Sequence, residues 1–510
     1  MNQRKIGVVL QYIQIILSIL LALIYSPIML RILGQNEYGI YSVAASTISF
    51  LSLLSLGLGG SYLRFYSVKK VRDDEQGIAR LNGLYLLVFS FLGIVLLILG
   101  LSLSFNAHIL FNDSYKVRDI QIARILLILL SINLSLSFPL SVFSSFILSQ
   151  EKFIFQKTLN IVVTITGPCV NIILLYCGFA SIGVAAVSLA LSIVSGLINI
   201  FYSVRRLKMR ISFGKFDFKL LKDIFIFSAF IAINQIIEQI TWQTDKIILG
   251  KLISASAVAI YAVGSQINSL FIQFSSAVSS VFAPRVNIIV QQNDINMDKQ
   301  LSDLFTRVGR MQWFILCLIF TGFVFFGKYF IFRWAGDGYS NSYYVALILM
   351  APAIVPLIQN IGIEIQRAKN KHQIRSIVYL IIAVFNAFIS IYFAIWWGEI
   401  GCAIGTAIAI TLGPILFMNF YYQKKLHIDI LNFWFQIVKT IPGFLLPVVG
   451  GILLMCFYSF HSLADFALFI FIYSIIYILS IFFLSFNNEE KQYIINLFNK
   501  IFLRKRSIKK

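Results

Sequence analysis

Charge is scarce in this chain. Only 12% of its 510 residues are Asp, Glu, Lys or Arg, against about a quarter in ordinary soluble domains. Acidic residues are the scarcer kind, 21 against 42 basic, giving a net charge of +21. Histidine occurs four times, singly and near the ends of apolar stretches, so no zinc or haem constellation is present. The five cysteines, Cys169, Cys177, Cys317, Cys402 and Cys456, are scattered with no CxxC spacing, which argues against a disulfide framework and against a thiolate metal site. Long polar connections are missing too. The longest on one side covers about 106–119, and those on the other cover 64–80, 204–222, 284–308 and 423–439. None is large enough for a catalytic domain, and the outer connections gather no carboxylates or histidines. A membrane enzyme such as a glycan polymerase or ligase is therefore disfavoured, and no enzymatic activity is expected.

What the chain has in abundance is apolar sequence, 59% of all residues. About fourteen stretches are each long enough to cross a bilayer, which takes roughly 20 residues: 8–33, 38–62, 81–105, 120–148, 159–177, 181–203, 223–249, 257–282, 311–332, 343–366, 376–397, 402–422, 440–460 and 465–486. Inside hydrocarbon every backbone polar group needs an internal partner, so such spans are helices. They are too uniformly apolar for the alternating strands of a barrel. The expected fold is all-α and integral to the membrane, with about 14 transmembrane helices.

The basic residues are distributed unevenly. With the N-terminus inside, about 34 of the 42 fall in one alternate set of connections and the tail. Examples are Lys69, Lys70 and Arg72; Arg205, Arg206, Lys208, Arg210 and Lys215; Arg367, Lys369, Lys371 and Arg375; and Arg504, Lys505 and Arg506. This is the asymmetry that orients membrane proteins, and it places both termini in the cytoplasm. The positive charge then serves orientation and attraction to anionic lipid heads, not nucleic-acid binding. The first span has no small-residue cleavage site and reads as a retained helix, not a signal peptide. The tail 491–510 mixes Ile, Leu and Phe with basic residues, as in an amphipathic helix on the inner leaflet.

An internal repeat organises the chain. Leu33-Gly34, Tyr41-Ser42-Val43 and Arg64 in the first half are echoed by Leu249-Gly250, Tyr261-Ala262-Val263 and Arg285 in the second. The expected domains are a six-helix bundle over 1–204, a basic cytoplasmic linker over 205–222, a second six-helix bundle over 223–422, a connection with spans 13 and 14 over 423–486, and a basic tail over 487–510. Two pseudo-symmetric bundles around a central cavity are a transporter plan.

Span 7 departs most from an apolar helix. Asn234, Glu238, Thr241 and Asp245 recur at intervals of 4, 3 and 4, and Gln235, Gln239, Trp242 and Lys246 follow one position on. At helical spacing these make one broad polar face. Glu238 lies 16 residues beyond Lys222, roughly 24 Å into the membrane. Insertion of a charge there costs roughly 2.5–3.5 kcal/mol, so it should meet a partner or a wet cavity. One reading makes the face a cavity wall, with Glu238 and Asp245 as ion-coupling groups. The other has Glu238 bonded to a neighbouring helix and Asp245 paired with Lys246 or solvent. Arg31 and Lys246 fall near the outer mouth, where they either attract an anion or snorkel to lipid phosphate. Arg64 and Arg285 mark the inner end in each half, serving a ligand or topology, and Arg124 is a further cation near the outer start of span 4. Ser42, Ser46 and Ser49 on span 2, and Ser265, Ser269, Gln273, Ser276 and Ser280 on span 8, either line the cavity or pack helices together. Pro139, Pro168, Pro352 and Pro356 lie inside spans and bend or kink them. Two motifs are decoys. Gly322 to Lys328 fits GxxxxGK, but Tyr329 follows where Ser or Thr is needed and the segment is a span. Gly401 and Gly405 form a GxxxG, which means close packing.

Two segments carry a family resemblance. SPIMLRILGQNEYGIYSVAASTISFLSLLSLGLGGSYLRFYS (26–67) resembles the opening of the Wzx-like oligosaccharide flippases of the polysaccharide transporter family, and TDKIILGKLISASAVAIYAVGSQI (244–267) resembles the start of their second half. The resemblance implies the multidrug/oligosaccharidyl-lipid/polysaccharide exporter fold. It also implies movement of an undecaprenyl-pyrophosphate-linked oligosaccharide from inner to outer leaflet of a bacterial cytoplasmic membrane by alternating access. Cationic cavity residues of the family would correspond here to Arg31 and Arg64, with Lys246 and Arg285 in the second half. No cofactor is implied beyond a coupling proton or sodium ion. Implied partners are the lipid-linked glycan, membrane lipids, a polysaccharide polymerase and glycosyltransferases. The alternatives are a MATE-type drug-cation antiporter of the same fold and a lipid II flippase.

Overall fold

A computed structural model of the chain describes residues 3–55, 57–111, 115–214, 218–292, 294–371, 373–458, 460–488 and 490–492. Lys215 and the tail beyond 492, with its expected amphipathic helix, lie outside the described residues. The described chain is almost entirely helical, with no strand. Its helices are α1 (Gln3–Leu51), α2 (Leu58–Val71), α3 (Glu75–Phe105), α4 (Val117–Ser149), α5 (Phe153–Tyr176), α6 (Ala180–Phe201), α7 (Phe218–Leu252), α8 (Ala255–Gln292), α9 (Met297–Trp334), α10 (Asn341–Ile358), α11 (Ile361–Ala368), α12 (Gln373–Ile410), α13 (Met418–Lys425), α14 (Ile430–Val438), α15 (Pro442–Phe457) and α16 (Leu463–Leu484). Among the described residues, ten helical stretches are long and apolar enough to cross a membrane, or up to 12 if the bent pairs within α7 (42°) and at α14–α15 (48°) each form one span.

Two of the long helices each run through two of the stretches expected from sequence. Straight, the 49 residues of α1 would reach roughly 74 Å, more than twice the hydrocarbon thickness. Its axis breaks at Gly34 (φ 70°, ψ 173°), and that of α12 breaks at Gly398 (φ 55°, ψ −132°). Both backbones lie where a side chain is disfavoured. In α12 the arms fold back on each other. A methyl group on Gly401 would strike the Phe393 carbonyl, one on Gly405 would press on Ser390, and Asn386 Nδ2 donates to Thr406 Oγ1 at 3.3 Å. The GxxxG spacing is thus the seam of a helical hairpin. The four prolines marked from sequence lie inside α4, α5 and α10.

Contacts group the chain into two compact units. The first holds Met1–Gly264, Trp334–Val345 and Ser376–Ala409, so it combines the N-terminal half with α7, the start of α8 and most of α12. Tyr62, Leu81, Leu96 and Phe146 lie at the centre of one of its apolar clusters. A polar tie runs through that cluster: Tyr62 OH donates to Asn82 Oδ1 at 2.6 Å, and Asn82 Nδ2 to the Arg210 carbonyl at 2.9 Å.

The second unit holds Ser265–Arg333, Ala346–Arg375 and the chain from Ile410 onward. In it Arg310, buried on α9, fastens the last helices. Its Nε and Nη2 donate to the Glu490 carboxylate, each at 2.8 Å, its Nη1 to the Gln436 carbonyl at 2.7 Å and its Nη2 to the Ser485 carbonyl at 3.1 Å. Tyr477 OH donates to the Phe314 carbonyl at 2.7 Å. Gln312 Nε2 donates to Ser279 Oγ at 2.7 Å and to the Ser275 carbonyl at 3.0 Å, joining α9 to α8.

Candidate functional site

The polar residues of α7 divide by what covers them. Asp245 is wholly buried, at 0% exposure. Its Oδ2 accepts hydrogen bonds from Tyr261 OH of α8 and from Thr406 Oγ1 of α12, the latter at 2.7 Å. Behind Thr406, Asn386 Nδ2 donates to its Oγ1, and Ser390 Oγ donates to Asn386 Oδ1, both at 3.3 Å. The second carboxylate oxygen, Oδ1, accepts no hydrogen bond from any described residue. Lys246, half-buried, turns away: its Nζ donates to Gln243 Oε1 at 3.3 Å. The α12 hairpin is what makes the cluster possible, because Asn386 and Thr406 sit 20 residues apart in sequence and meet across its seam. Among the described residues no group of three or more His, Cys, Asp or Glu is placed to hold a metal ion. The cluster is a carboxylate ringed by neutral oxygens, a donor set suited to a proton or a small hard cation.

Other α7 side chains meet α1. Ser46 Oγ donates to Gln243 Oε1 at 2.9 Å and Ser49 Oγ to Gln239 Oε1 at 2.8 Å, while Ser42 Oγ bonds its own helix at the Tyr38 carbonyl. Ser46 and Ser49 thus knit α1 to α7 in this structure. Asn234 and Glu238 are exposed one turn apart, with Gln235 and Trp242 half-buried beside them. Asn234 Oδ1 accepts from Ser376 Oγ at 3.3 Å. Glu238 lies 12 residues before Gly250, roughly 18 Å from that end of the helix. Against acyl chains a carboxylate at such depth would carry a penalty of roughly 2.5–3.5 kcal/mol, which a water-lined route would relieve.

The candidate cations are placed as follows. In the first unit, Arg31 is exposed on α1 just before the Gly34 break, and Arg64 is exposed on α2 with its guanidinium carbon 4.2 Å from the centre of the Phe227 ring of α7. Arg124 is exposed on α4. In the second unit, Arg285 is exposed on α8, where Ser269, Gln273 and Ser276 form an exposed polar strip at helical spacing and Ser265 is buried. Sequence reasoning missed Tyr261, Asn386, Ser390 and Thr406 as partners of Asp245, and missed Gln243. The available signal was the i, i+4 pair Asn386 and Ser390 inside an apolar stretch, together with the need of any buried carboxylate for donors.

Comparison with known proteins places this architecture. Residues 7–290 match the family described as "Polysaccharide biosynthesis protein", more than half of the chain, and the chain belongs to that family. A Shigella flexneri protein named "Putative O-antigen transporter" is 23% identical over 397 residues, covering 77% of this chain and 91% of its own. Among solved structures, the lipid II flippase MurJ in an inward closed conformation is similar at a TM-score of 0.66 and 16% identity, covering 98% of this chain and 99% of its own. An inward-facing multidrug resistance MATE family transporter of the MOP superfamily is similar at a TM-score of 0.58 and 14% identity, with 78% of this chain and 92% of its own covered. The fold is that of MurJ and the MATE transporters, in a multi-pass membrane protein.

Proposed function

We propose that this chain is a flippase that carries an oligosaccharide linked to a polyprenyl diphosphate from the inner to the outer leaflet of a bacterial cytoplasmic membrane, with both of its termini in the cytoplasm. The observation that carries the reading is the exposed polar strip of α7, Asn234 and Glu238, well inside a helix otherwise apolar enough to span a membrane. A protein that only needed to sit in the bilayer would gain nothing from an uncovered carboxylate there. Family membership and the name of the Shigella relative support a glycan on a lipid carrier. The physics of the cargo supports a wet route, since a diphosphate taken unpaired into hydrocarbon costs many kcal/mol. Arg31 and Arg64 would meet the phosphates through charge-assisted hydrogen bonds, the amides of α7 would meet sugar hydroxyls, and the prenyl tail would stay in lipid.

Asp245 is the better candidate for ion coupling, with Glu238 lining the route. Its free Oδ1 and ring of neutral donors would let a proton or sodium ion bind and leave while α7, α8 and α12 repack. A polymerase and glycosyltransferases would act on either side of this step. Deleting the protein should strand the lipid-linked glycan at the inner leaflet and strip polysaccharide from the cell surface. Unchanged display at the outer leaflet, with no related transporter compensating, refutes the flippase. Efflux of organic cations without glycan movement from vesicles holding the purified protein would favour a drug antiporter instead. At normal protein levels, Arg31→Ala and Lys246→Ala should each lower export several-fold, and full activity in both would reduce them to lipid anchors.

A further inference from the structure

Within the first compact unit, residues of the first sequence half are tied to residues of the second at one end of the helices, the end poor in basic residues. Gln35, just past the Gly34 break, uses both halves of its amide: Oε1 accepts from Ser256 Oγ of α8 at 2.6 Å, and Nε2 donates to the carbonyl of Gly338 in the turn before α10. Beside it, Lys251 Nζ donates to the Phe111 carbonyl at 3.3 Å and Tyr115 OH to the Gly250 carbonyl at 3.2 Å. Burial, and then the charge of Asp119, push the Tyr115 phenol well above its ordinary range, so it stays a donor. One layer deeper the contacts are close packing. Gly250 packs on Val43, itself at 0% exposure, and Gly39 packs on the Ala255 carbonyl.

We infer that Gln35 is the strap of an outer gate: a single amide that bolts the first-half turn to two separate second-half elements, and that must release for the polar strip of α7 to open outward. The geometry suits a strap better than permanent packing. Its polar contacts come from neutral or solvent-reachable groups at helix ends, so water can replace them when the gate opens. The glycine contacts beneath bring the helices close, with one small side chain, Val43, seated over Gly250. Other amides of the chain serve differently: Gln312 and Asn82, for example, are buried within their units and hold helices for good.

This inference rests on the transport reading for its purpose but not for its test. In a chain with Cys169, Cys177, Cys317, Cys402 and Cys456 replaced, Val43→Cys reports opening through its reaction with a membrane-impermeant maleimide added outside intact cells. Gln35→Ala removes two neutral hydrogen bonds, which should raise the open fraction, and with it the labelling rate, on the order of tenfold. Ser256→Ala, which removes one, should give a smaller rise and guards against misfolding of the first variant. Equal labelling with and without Gln35, or labelling only from the cytoplasmic face, overturns the strap. A short bis-methanethiosulfonate, which forms a disulfide with each of Gln35→Cys and Ser256→Cys and releases methanesulfinate, should then block glycan export until a reductant cleaves it. If labelling behaves as expected but no variant moves glycan, the gate stands and the glycan reading falls.

Discussion

The hydroxyls around Asp245 can be tested as a unit. Tyr261→Phe and Thr406→Val each delete one donor to a buried carboxylate while keeping most of the side chain's shape. A hydrogen bond to a charged group contributes about 1.5–3 kcal/mol net, a neutral one about 0.5–1.5. Each substitution should therefore lower unfolding free energy by about 1.5–3 kcal/mol when Asp245 is present. In an Asp245→Asn background, where the acceptor is neutral, each should cost about 1 kcal/mol less. The assay is a double-mutant cycle by denaturant titration in mixed micelles, with the four proteins of each cycle compared at one pH and salt concentration. Costs that add to within about 0.5 kcal/mol would show that the hydroxyls do not act through the carboxylate. The same proteins test ion binding. A cation held at the free Oδ1 stabilises the wild type by mass action and leaves Asp245→Asn unmoved. If sodium, potassium and protons all shift both proteins equally, the cluster is structural and the coupling role is refuted.

Three other outcomes follow from particular contacts. Glu238→Gln should accumulate and melt like the wild type, because its side chain is exposed, while transport falls several-fold; unchanged transport in proteoliposomes removes it from the route. Gly401→Val should destabilise by about 1–3 kcal/mol or more through overpacking of the α12 seam, read as a lower denaturation midpoint, and a neutral result would contradict the hairpin. Arg310→Ala leaves Glu490 and two buried carbonyls without their donor and should cost about 3–5 kcal/mol; protease cleavage near α16 in the folded protein is the measurement, and Arg310→Lys should recover only part of the loss.

Much of this fold was legible because bilayer physics leaves few choices. Hydropathy and length fix where helices run, and the expected breaks near 34 and 398 fall on the two glycines that carry positive φ inside long helices. What sequence could not supply was pairing. The periodicity of α7 identified one polar face but not which of its members would be covered, since cover comes from Tyr261 and Thr406 on other helices. Ser46 and Ser49 read equally well as cavity lining or helix packing, and only their bonds to Gln243 and Gln239 assign them to packing here. In sequence nothing sets Arg310 apart from the other basic residues next to the apolar stretches. Its burial depends on Glu490, 180 residues later.

Asn234, Glu238, Thr241 and Asp245 lie along one side of α7, and their exposure falls steadily in that order: exposed, exposed, half-buried, buried. A single polar strip is thus covered at one end and exposed toward the other. The covered end is the one held by Gln35, Tyr115 and the packing of Gly250 on Val43. Under the proposed flippase reading, this is the asymmetry expected of an alternating-access protein closed on one side. Under the same reading the buried Asp245 sits at the covered end of the strip, where a coupling group would sense opening. Cysteines placed singly at the four positions should react with a small water-soluble thiol reagent from the cytoplasmic side at rates that fall from 234 to 245. Gln35→Ala should bring in reaction from outside, beginning at 245. A flat profile from inside, or outside reaction that begins at 234, would show that the strip is not the wall of a route with a gate at its outer end.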